Sequence, residues 1–268
     1  MQGDTVIFMV LRGVRNAINF PRLRNPLHLV SPMDFSELKS VCCGCSIREL
    51  CLPAGLTDQE VLLLDQHMSH RQPIRKGESL YRTGDTFRSL YAVSTGFFKT
   101  SILHEDGRSQ VTGFQMAGEI LGLDAISTDR HICDAVALED SVVCEVPFER
   151  FEELGQLMSN LQRRFNRTLS SEIVREQGIM LLLGSMRSEE RLAAFLVNLA
   201  KRFSIRKQSG SELVLRMTRE DIGSYLGLKL ETVSRLLSRF HDEGLLDVHG
   251  RNIQILDQVG LNRLVGST

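Results

Sequence analysis

Four of the six cysteines fall within ten residues, Cys42-Cys43-Gly44-Cys45-Ser46-Ile47-Arg48-Glu49-Leu50-Cys51. Cys42, Cys45 and Cys51 stand in a C-x2-C-x5-C pattern, a spacing that lets one short loop wrap a metal or iron–sulfur centre and offer it several thiolates. A fourth protein ligand must then come from elsewhere in the chain, and Cys133 and Cys144 are both available. A second stretch capable of chemistry lies near the C-terminus. Asp221-Ile222-Gly223-Ser224-Tyr225-Leu226 ends at Gly227, and a second amphipathic segment runs from Glu231-Thr232-Val233-Ser234-Arg235 through Leu236, Leu237 and Phe240. Two short helices joined by a Gly-containing turn form the helix-turn-helix arrangement, whose second helix lays its N-terminal residues in the major groove. There Glu231 can accept from a cytosine amino group, Arg235 can make a forked contact with guanine, and Ser234 can reach base or phosphate. An ordinary helical hairpin fits the same pattern, and acids slightly outnumber Lys and Arg between residues 218 and 251.

The elements that must hold these residues follow from length and texture. A chain of 268 residues, 42% hydrophobic, suits two domains with their own cores. Its apolar runs, such as 6–11 and 179–183, fall far short of the roughly 20 residues that span a bilayer, so no membrane role is expected. The net charge of -1 argues against a strongly basic nucleic-acid coat, although a groove reader needs only a few well-placed cations. Residues 1–41 are expected to be a disordered extension. The first 32 carry Arg12, Arg15, Arg22 and Arg24 against the single acid Asp4, with Pro21, Pro26 and Pro32. They read as such an extension or as a start placed too early, with Met33 the true one. As a targeting signal the apolar run is short, and no small-residue cleavage site follows it neatly.

After the cysteines, 58–70 reads as a short helix on the spacing of Val61, Leu62, Leu64 and Met68. Residues 73–147 are short Val-, Ile-, Leu-, Phe- and Tyr-rich segments punctuated by glycines, the texture of an antiparallel sandwich or roll. Its clearest hairpin joins 97–103 to 109–114 through Glu105-Asp106-Gly107-Arg108. A helix from 147 to about 183, with interruptions, carries Leu154, Leu157, Leu161, Phe165, Leu169, Ile173, Met180 and Leu183 as a stripe, with Arg163, Arg164, Arg167 and Arg175 on other faces. That stripe suits a two-stranded coiled coil, or a helix packed only on its own domain. Glu176 interrupts the seam, and in a symmetric pair it would approach its twin and oppose dimerisation. Further on, Ser188 is placed to cap a helix whose inner face is Leu192, Phe195, Leu196, Leu199 and Phe203. A strand over 213–217 leads to Thr218, which with Asp221 resembles a capping box, and 243–255 reads as a hairpin wing.

Taken together these parts resemble the oxygen-sensing fumarate and nitrate reduction regulators, a branch of the bacterial cyclic-AMP receptor protein superfamily. The resemblance covers nearly everything from Cys42 onward. It rests on Cys-x-x-Cys-Ser-Ile-x-x-Leu-Cys at 42–51, Lys76-Gly77, Ser89-Leu90-Tyr91-Ala92, Thr112-Gly113-Phe114, Asp124-Ala125-Ile126 and Val143-Cys144-Glu145-Val146-Pro147-Phe148. It continues through Glu189-Glu190-Arg191-Leu192-Ala193-Ala194-Phe195, Met217-Thr218-Arg219, Tyr225-Leu226-Gly227-Leu228 and Glu231-Thr232-Val233-Ser234-Arg235-Leu236-Leu237.

The resemblance implies an α+β protein with an N-terminal antiparallel β-roll and iron–sulfur loop (42–150), a dimerisation helix (151–184) and a C-terminal winged helix-turn-helix (185–268). It implies one [4Fe–4S] cluster per subunit on Cys42, Cys45, Cys51 and Cys144, leaving Cys43 and Cys133 as spares, with Ser46 and Leu50 beside the ligands as tuning residues. It makes the protein a cytoplasmic, non-enzymatic transcription regulator that senses oxygen. The intact cluster would favour a homodimer through Leu161, Phe165, Leu169, Ile173, Glu176 and Met180. The dimer would bind a palindromic operator, with half-sites about one helical turn apart, through Glu231, Ser234 and Arg235, and would activate or repress genes of anaerobic metabolism. RNA polymerase would be met through Asp106, Gly107 and Arg108. Lys229 departs from the short hydroxyl residue usual near the start of the reading helix. A cyclic-nucleotide sensor on the same fold would need an Arg followed by Ser or Thr, where this chain has Asp129-Arg130-His131-Ile132-Cys133. A structural zinc site would use the same thiols but be colourless and indifferent to air. An enzyme would need a phosphate loop or acid–base constellation that the sequence lacks.

Overall fold

The computed structural model describes residues 42–67, 71–103 and 107–266. The expectation for residues 1–41, and the parts of other expectations resting on Met68 and on residues 104–106, lie outside these. Helix α1 (Asp58–His67) opens on a capping box, in which Thr57 N–H and hydroxyl both donate to the Glu60 carboxylate at 2.8 and 2.9 Å. Eight short strands follow: β1 (Arg71–Ile74), β2 (Ser79–Tyr81), β3 (Ser89–Thr95), β4 (Phe97–Leu103), β5 (Ser109–Met116), β6 (Ile120–Leu121), β7 (Asp134–Ala137) and β8 (Ser141–Pro147). They form two antiparallel four-stranded sheets, ordered β1-β8-β3-β6 and β2-β7-β4-β5. Ile74, Val93, Phe98, Leu121 and Val143 fill the space within the roll. The expected hairpin is present as β4 paired with β5 from Phe97↔Met116 to Leu103↔Ser109.

The long helix is two helices. Helix α2 (Phe148–Leu157) stops at Met158, whose extended backbone and buried side chain turn the chain before α3 (Ser159–Ser185) begins. The first turns of α3 are not a free seam. Leu161 and Phe165 are buried with Phe151, Leu154 and the cysteine loop, and the Phe151 and Phe165 rings meet edge to face at 4.7 Å. These two residues, expected at a dimer interface, serve the chain's own core instead, because α2 folds back over the start of α3. Leu169 is half-covered at the edge of that core, and only beyond it do Ile173, Val174, Glu176, Met180 and Leu181 face solvent.

Helix α4 (Ser188–Ile205) starts one residue earlier than expected for a Ser188 cap. Arg187 is the N-cap residue, and its N–H donates to Glu190 at 2.9 Å. Strand β9 (Glu212–Val214), helices α5 (Arg219–Leu226) and α6 (Leu230–Asp242), strands β10 (Leu246–His249) and β11 (Asn252–Ile255), and α7 (Gln258–Leu264) complete the chain. The wing sheet runs β10-β11-β9. Roll and winged helix share one core: Phe97, Val111, Phe114 and Met116 pack with Phe195, Leu196, Ile222 and Leu226. Phe114, Phe195 and Tyr225 form a triangle of rings 5.1–6.0 Å apart.

Candidate functional site

The cysteine stretch is a succession of tight turns. Cys45 N–H donates to the Cys42 carbonyl at 3.2 Å, Arg48 to Cys45 at 3.1 Å and Cys51 to Ile47 at 3.1 Å. Turns of about three residues bring positions three apart to the same side, which is the spacing of 42, 45, 48 and 51. Arg48, the non-cysteine in that series, anchors the stretch to α1 through the Leu56 carbonyl at 3.0 Å and Asp58 at 2.8 Å. Cys42 and Cys51 are buried among Leu52, Leu56, Leu64, Ile120 and Phe151, with Cys144 packed against the same group. Cys144 lies on the central strand β8, opposite Arg71 of β1 and Ala92 of β3. Side chains alternate along a strand: Val143 points into the roll, whereas Cys144 and Val146 point to the face that the cysteine loop covers.

Charge on one of these thiols is felt by the others. Burial, then Asp65, Cys51 and Cys144, push the Cys42 thiol well above its ordinary range. Burial pushes Cys51 up to about 12, with Cys144 and Cys45 adding to it and Arg164 opposing. Cys144 is raised by burial and by Cys45 against the pull of Arg71. In the metal-free chain these three hold their protons at neutral pH, so a metal centre must displace them and binds better as pH rises. The structure thus brings Cys42, Cys45, Cys51 and Cys144 into one neighbourhood. Cys133 lies in the other core beside Asp124 and Tyr81, where burial lifts it to about 12, and Cys43 is exposed.

Among the described residues no three His, Cys, Asp or Glu side chains converge tightly enough to hold a single metal ion. A zinc site needs its sulfurs all about 2.3 Å from one ion, whereas a [4Fe–4S] cluster takes one thiolate at each of four irons. Cys42 and Cys51, with Cys144 packed against the same apolar group and Cys45 close enough to act on Cys51 and Cys144, offer four thiolates for the second demand. Arg164 of α3 suits it as well: its buried Nε–H has no acceptor among the described residues and its Nη2 reaches the Leu50 and Cys51 carbonyls at 3.2 and 3.3 Å. A donor of this kind can hydrogen-bond cluster sulfur. Leu50 presses on Gly118, where an added Cβ would come within 2.8 Å of the Leu50 Cβ. Ser46 is exposed, at a cleft between the roll and the winged helix.

In the helix-turn-helix, Thr218 caps α5: its hydroxyl accepts from Asp221 N–H at 3.0 Å and donates to the Asp221 carboxylate at 2.7 Å. Gly227 ends α5 at φ 63°, and Leu228 N–H closes back on the Gly223 carbonyl at 2.8 Å. Gly223 must lack a side chain, since a Cβ there would meet the Leu228 carbonyl at 2.6 Å. Helix α6 buries Val233, Leu237 and Phe240. Glu231 and Arg235, one turn apart, are exposed and enter no ion pair among the described residues, and Ser234 is half-buried between them. Of the expected polymerase loop, Gly107 and Arg108 are exposed, and Asp106 lies outside the described residues.

Residues 190–264 match the Crp-like helix-turn-helix domain and residues 71–157 the cyclic nucleotide-binding domain. The chain is 45% identical over 227 residues, 85% of its length and 91% of the other, to the fumarate and nitrate reduction regulatory protein of Escherichia coli K12. The chain belongs to the fumarate and nitrate reduction regulator family. It is also 44% identical to the transcriptional activator protein FnrA of Stutzerimonas stutzeri, over 86% of this chain and 95% of that one. The structure of FixK2 from Bradyrhizobium japonicum aligns with a TM-score of 0.68 at 33% identity, covering 73% of this chain and 96% of that chain. Members of this family are transcription regulators, not enzymes, and the matched DNA-binding domain makes this chain one of them.

The family's nucleotide-binding fold does not by itself make a nucleotide site. The cavity of about 350 Å³ between roll and α3 is lined by Asp124, Glu172 and Glu176, and its cation Arg175 is paired with Glu172. A cyclic phosphate would meet carboxylates there and find no unpaired cation among the described lining residues.

Two features escaped the sequence reading. The helical stripe puts Arg164 on an outer face, yet it lies three residues after buried Leu161, half-buried on the flank of the covered stripe. The ion pairs joining roll to winged helix link residues too far apart in the chain to be paired by inspection: Glu119 with Arg202 at 2.6 Å and Arg206 at 2.7 Å, and Lys99 with Asp221 at 2.6 Å. Lys229 is the N-cap of α6 and offers no side-chain acceptor. Replacing it with Ser is expected to stabilise the winged helix by about 1 kcal/mol, read as a raised urea midpoint by circular dichroism.

Proposed function

We propose that this chain is an oxygen-responsive regulator of anaerobic metabolism whose Cys42, Cys45, Cys51 and Cys144 hold one [4Fe–4S] cluster per subunit. The observation that carries the reading is the burial of loop thiols Cys42 and Cys51 in one apolar group with strand thiol Cys144, with Cys45 close enough to act on Cys51 and Cys144. When bound, the cluster supplies oxygen-labile iron–thiolate coordination with about two net negative charges. Cys144 then fastens loop 42–51 to strand β8, and the loop in turn bears on the buried first turns of α3. Beyond them, Ile173, Glu176 and Met180 form the face offered to a second copy, with Leu169 at its edge. Glu176 meets its twin across that face, so the dimer forms only when the fastened loop holds α3 in register. The dimer carries two α6 helices to the half-sites of a palindromic operator, where Glu231, Ser234 and Arg235 read bases. It works in the cytoplasm, activating or repressing its promoters, and meets RNA polymerase through Asp106, Gly107 and Arg108.

The test is anaerobic purification, with absorption spectra and operator binding measured before and after air. Brown protein that bleaches in air and releases DNA is expected. Colourless protein that ignores air and keeps its DNA affinity would sink the reading in favour of zinc. Glu176→Ala in aerobic protein should tighten the dimer about fivefold, a change of about 1 kcal/mol for removing one like-charge contact. Sedimentation showing an unchanged monomer would count against the role given to Glu176.

A further inference from the structure

The loop carrying three of the four thiols is tied to α3 by one side chain. Arg164 Nη2 donates to the carbonyls of Leu50 and Cys51 at 3.2 and 3.3 Å. These carbonyls end the 3-10 turn over Arg48–Leu50, and such terminal carbonyls have no partner within the turn itself. Among the described backbone bonds Leu50 receives none, and Cys51 receives only the Ala54 N–H. Arg164 is therefore the group that satisfies the loop just where its last cysteine sits. Its own helix position is held on both sides by buried Leu161 and Phe165. Along the rigid helix, Ile173 of the free face is nine residues on, roughly 13 Å. The Nε–H of the same guanidinium is buried and has no acceptor among the described residues.

We propose that Arg164 is the positioning residue that ties the cysteine loop to the dimerisation helix, so that the state of the loop sets the placement of the helix face that pairs with a second copy. This rests on the cluster reading above for what changes the loop, but the tie itself is a property of the metal-free chain. Leu161 and Phe165 of the helix also pack with Cys42, Cys51 and Leu52, and apolar contacts of this kind can slide. A forked cation on two consecutive carbonyls cannot slide without losing both bonds.

Hydrogen exchange on the metal-free full chain tests the tie directly. In Arg164→Met the amides of residues 51–56 are expected to exchange about fivefold faster, the loss corresponding to charge-assisted bonds at a half-buried site, with the β4–β5 hairpin unchanged. Arg164→Lys, which keeps a donor at similar reach, should restore most of that protection. In the anaerobic chain, Arg164→Met protein fractionated to the parent's iron and sulfide content should show a dimer that dissociates about tenfold more readily. Unchanged exchange at 51–56, or a fully loaded variant that dimerises like the parent, overturns the proposal. Absence of iron in the parent chain would instead defeat the cluster reading, and the exchange comparison would still decide whether Arg164 ties the loop.

Discussion

Cys144→Ala is expected to lose the cluster outright: after anaerobic reconstitution its iron content should fall at least tenfold below the parent's, and its operator binding should match that of air-exposed parent. The magnitude follows from the ligand set. Three thiolates on one loop leave the fourth iron without a protein ligand, and they also leave the loop unattached to the roll. Fold stability supplies the control. Cys144 is only half-buried on its strand, so the metal-free variant should unfold within about 1 kcal/mol of the parent. Cys43→Ala, at an exposed thiol, should load iron normally. Cys133→Ala should also load normally while costing about 1 kcal/mol, because its side chain fills the roll core. The assignment fails if Cys43→Ala abolishes loading while Cys144→Ala spares it.

What the sequence disclosed, and what it withheld, divides along the range of the interactions. Local chemistry was legible. The capping box of Thr218 and Asp221, the Gly227 turn and the wing between Leu246 and Ile255 are each written in neighbouring residues and stand where expected. The C-x2-C-x5-C spacing likewise marked the loop, but choosing Cys144 over Cys133 needed the family resemblance. In the folded roll the two thiols face different cores, Cys144 from strand β8 towards the cysteine loop and Cys133 from the bend before β7 into the interior of the roll. Periodicity marked Leu161 and Phe165 as buried without saying against what. A coiled-coil seam and an intramolecular core have the same spacing, and the break at Met158 that decides between them has no Gly or Pro to announce it. Least legible was the joint between roll and winged helix. Reading the chain as separate domains gave no hint that Phe114 shares a core with Tyr225, or that Glu119 is the anion for two arginines 83 and 87 residues further on.

Glu119→Gln is expected to cost about 3 kcal/mol at neutral pH, the largest loss for any single charge in the described fold. Glu119 receives Arg202 Nη2 and Nε at 2.6 and 3.2 Å and Arg206 Nη2 at 2.7 Å. Arg202 also donates to the Phe114 carbonyl and Arg206 to the Ala117 carbonyl, both at 2.6 Å. Removing the shared carboxylate leaves two guanidiniums, 16% and 8% exposed, without their hydrogen-bonded anion, with Glu172 the acid remaining near Arg202, and a buried ion stripped of its partner typically costs about 3 kcal/mol or more. By contrast Arg150→Ala breaks a solvent-exposed pair, 59% and 61% exposed, and should leave the urea midpoint essentially where it is. The sign of the pH dependence follows from the same geometry. Burial alone would raise the Glu119 carboxyl, but Arg202 and Arg206 outweigh it and hold it below its ordinary value. Burial is likewise outweighed at Asp221 by Lys99 and Thr218. Carboxyls depressed in the folded chain stabilise it fully above their unfolded values, about 4.3 for Glu and 3.9 for Asp, and lose that contribution as pH falls through the lower folded values. Parent and Glu119→Gln should therefore differ by the full amount at pH 7 and converge below about pH 4 in urea titrations followed by circular dichroism. A difference that persisted unchanged into acid would show that the loss is one of packing, and that Glu119 does not act as the anion joining roll to winged helix.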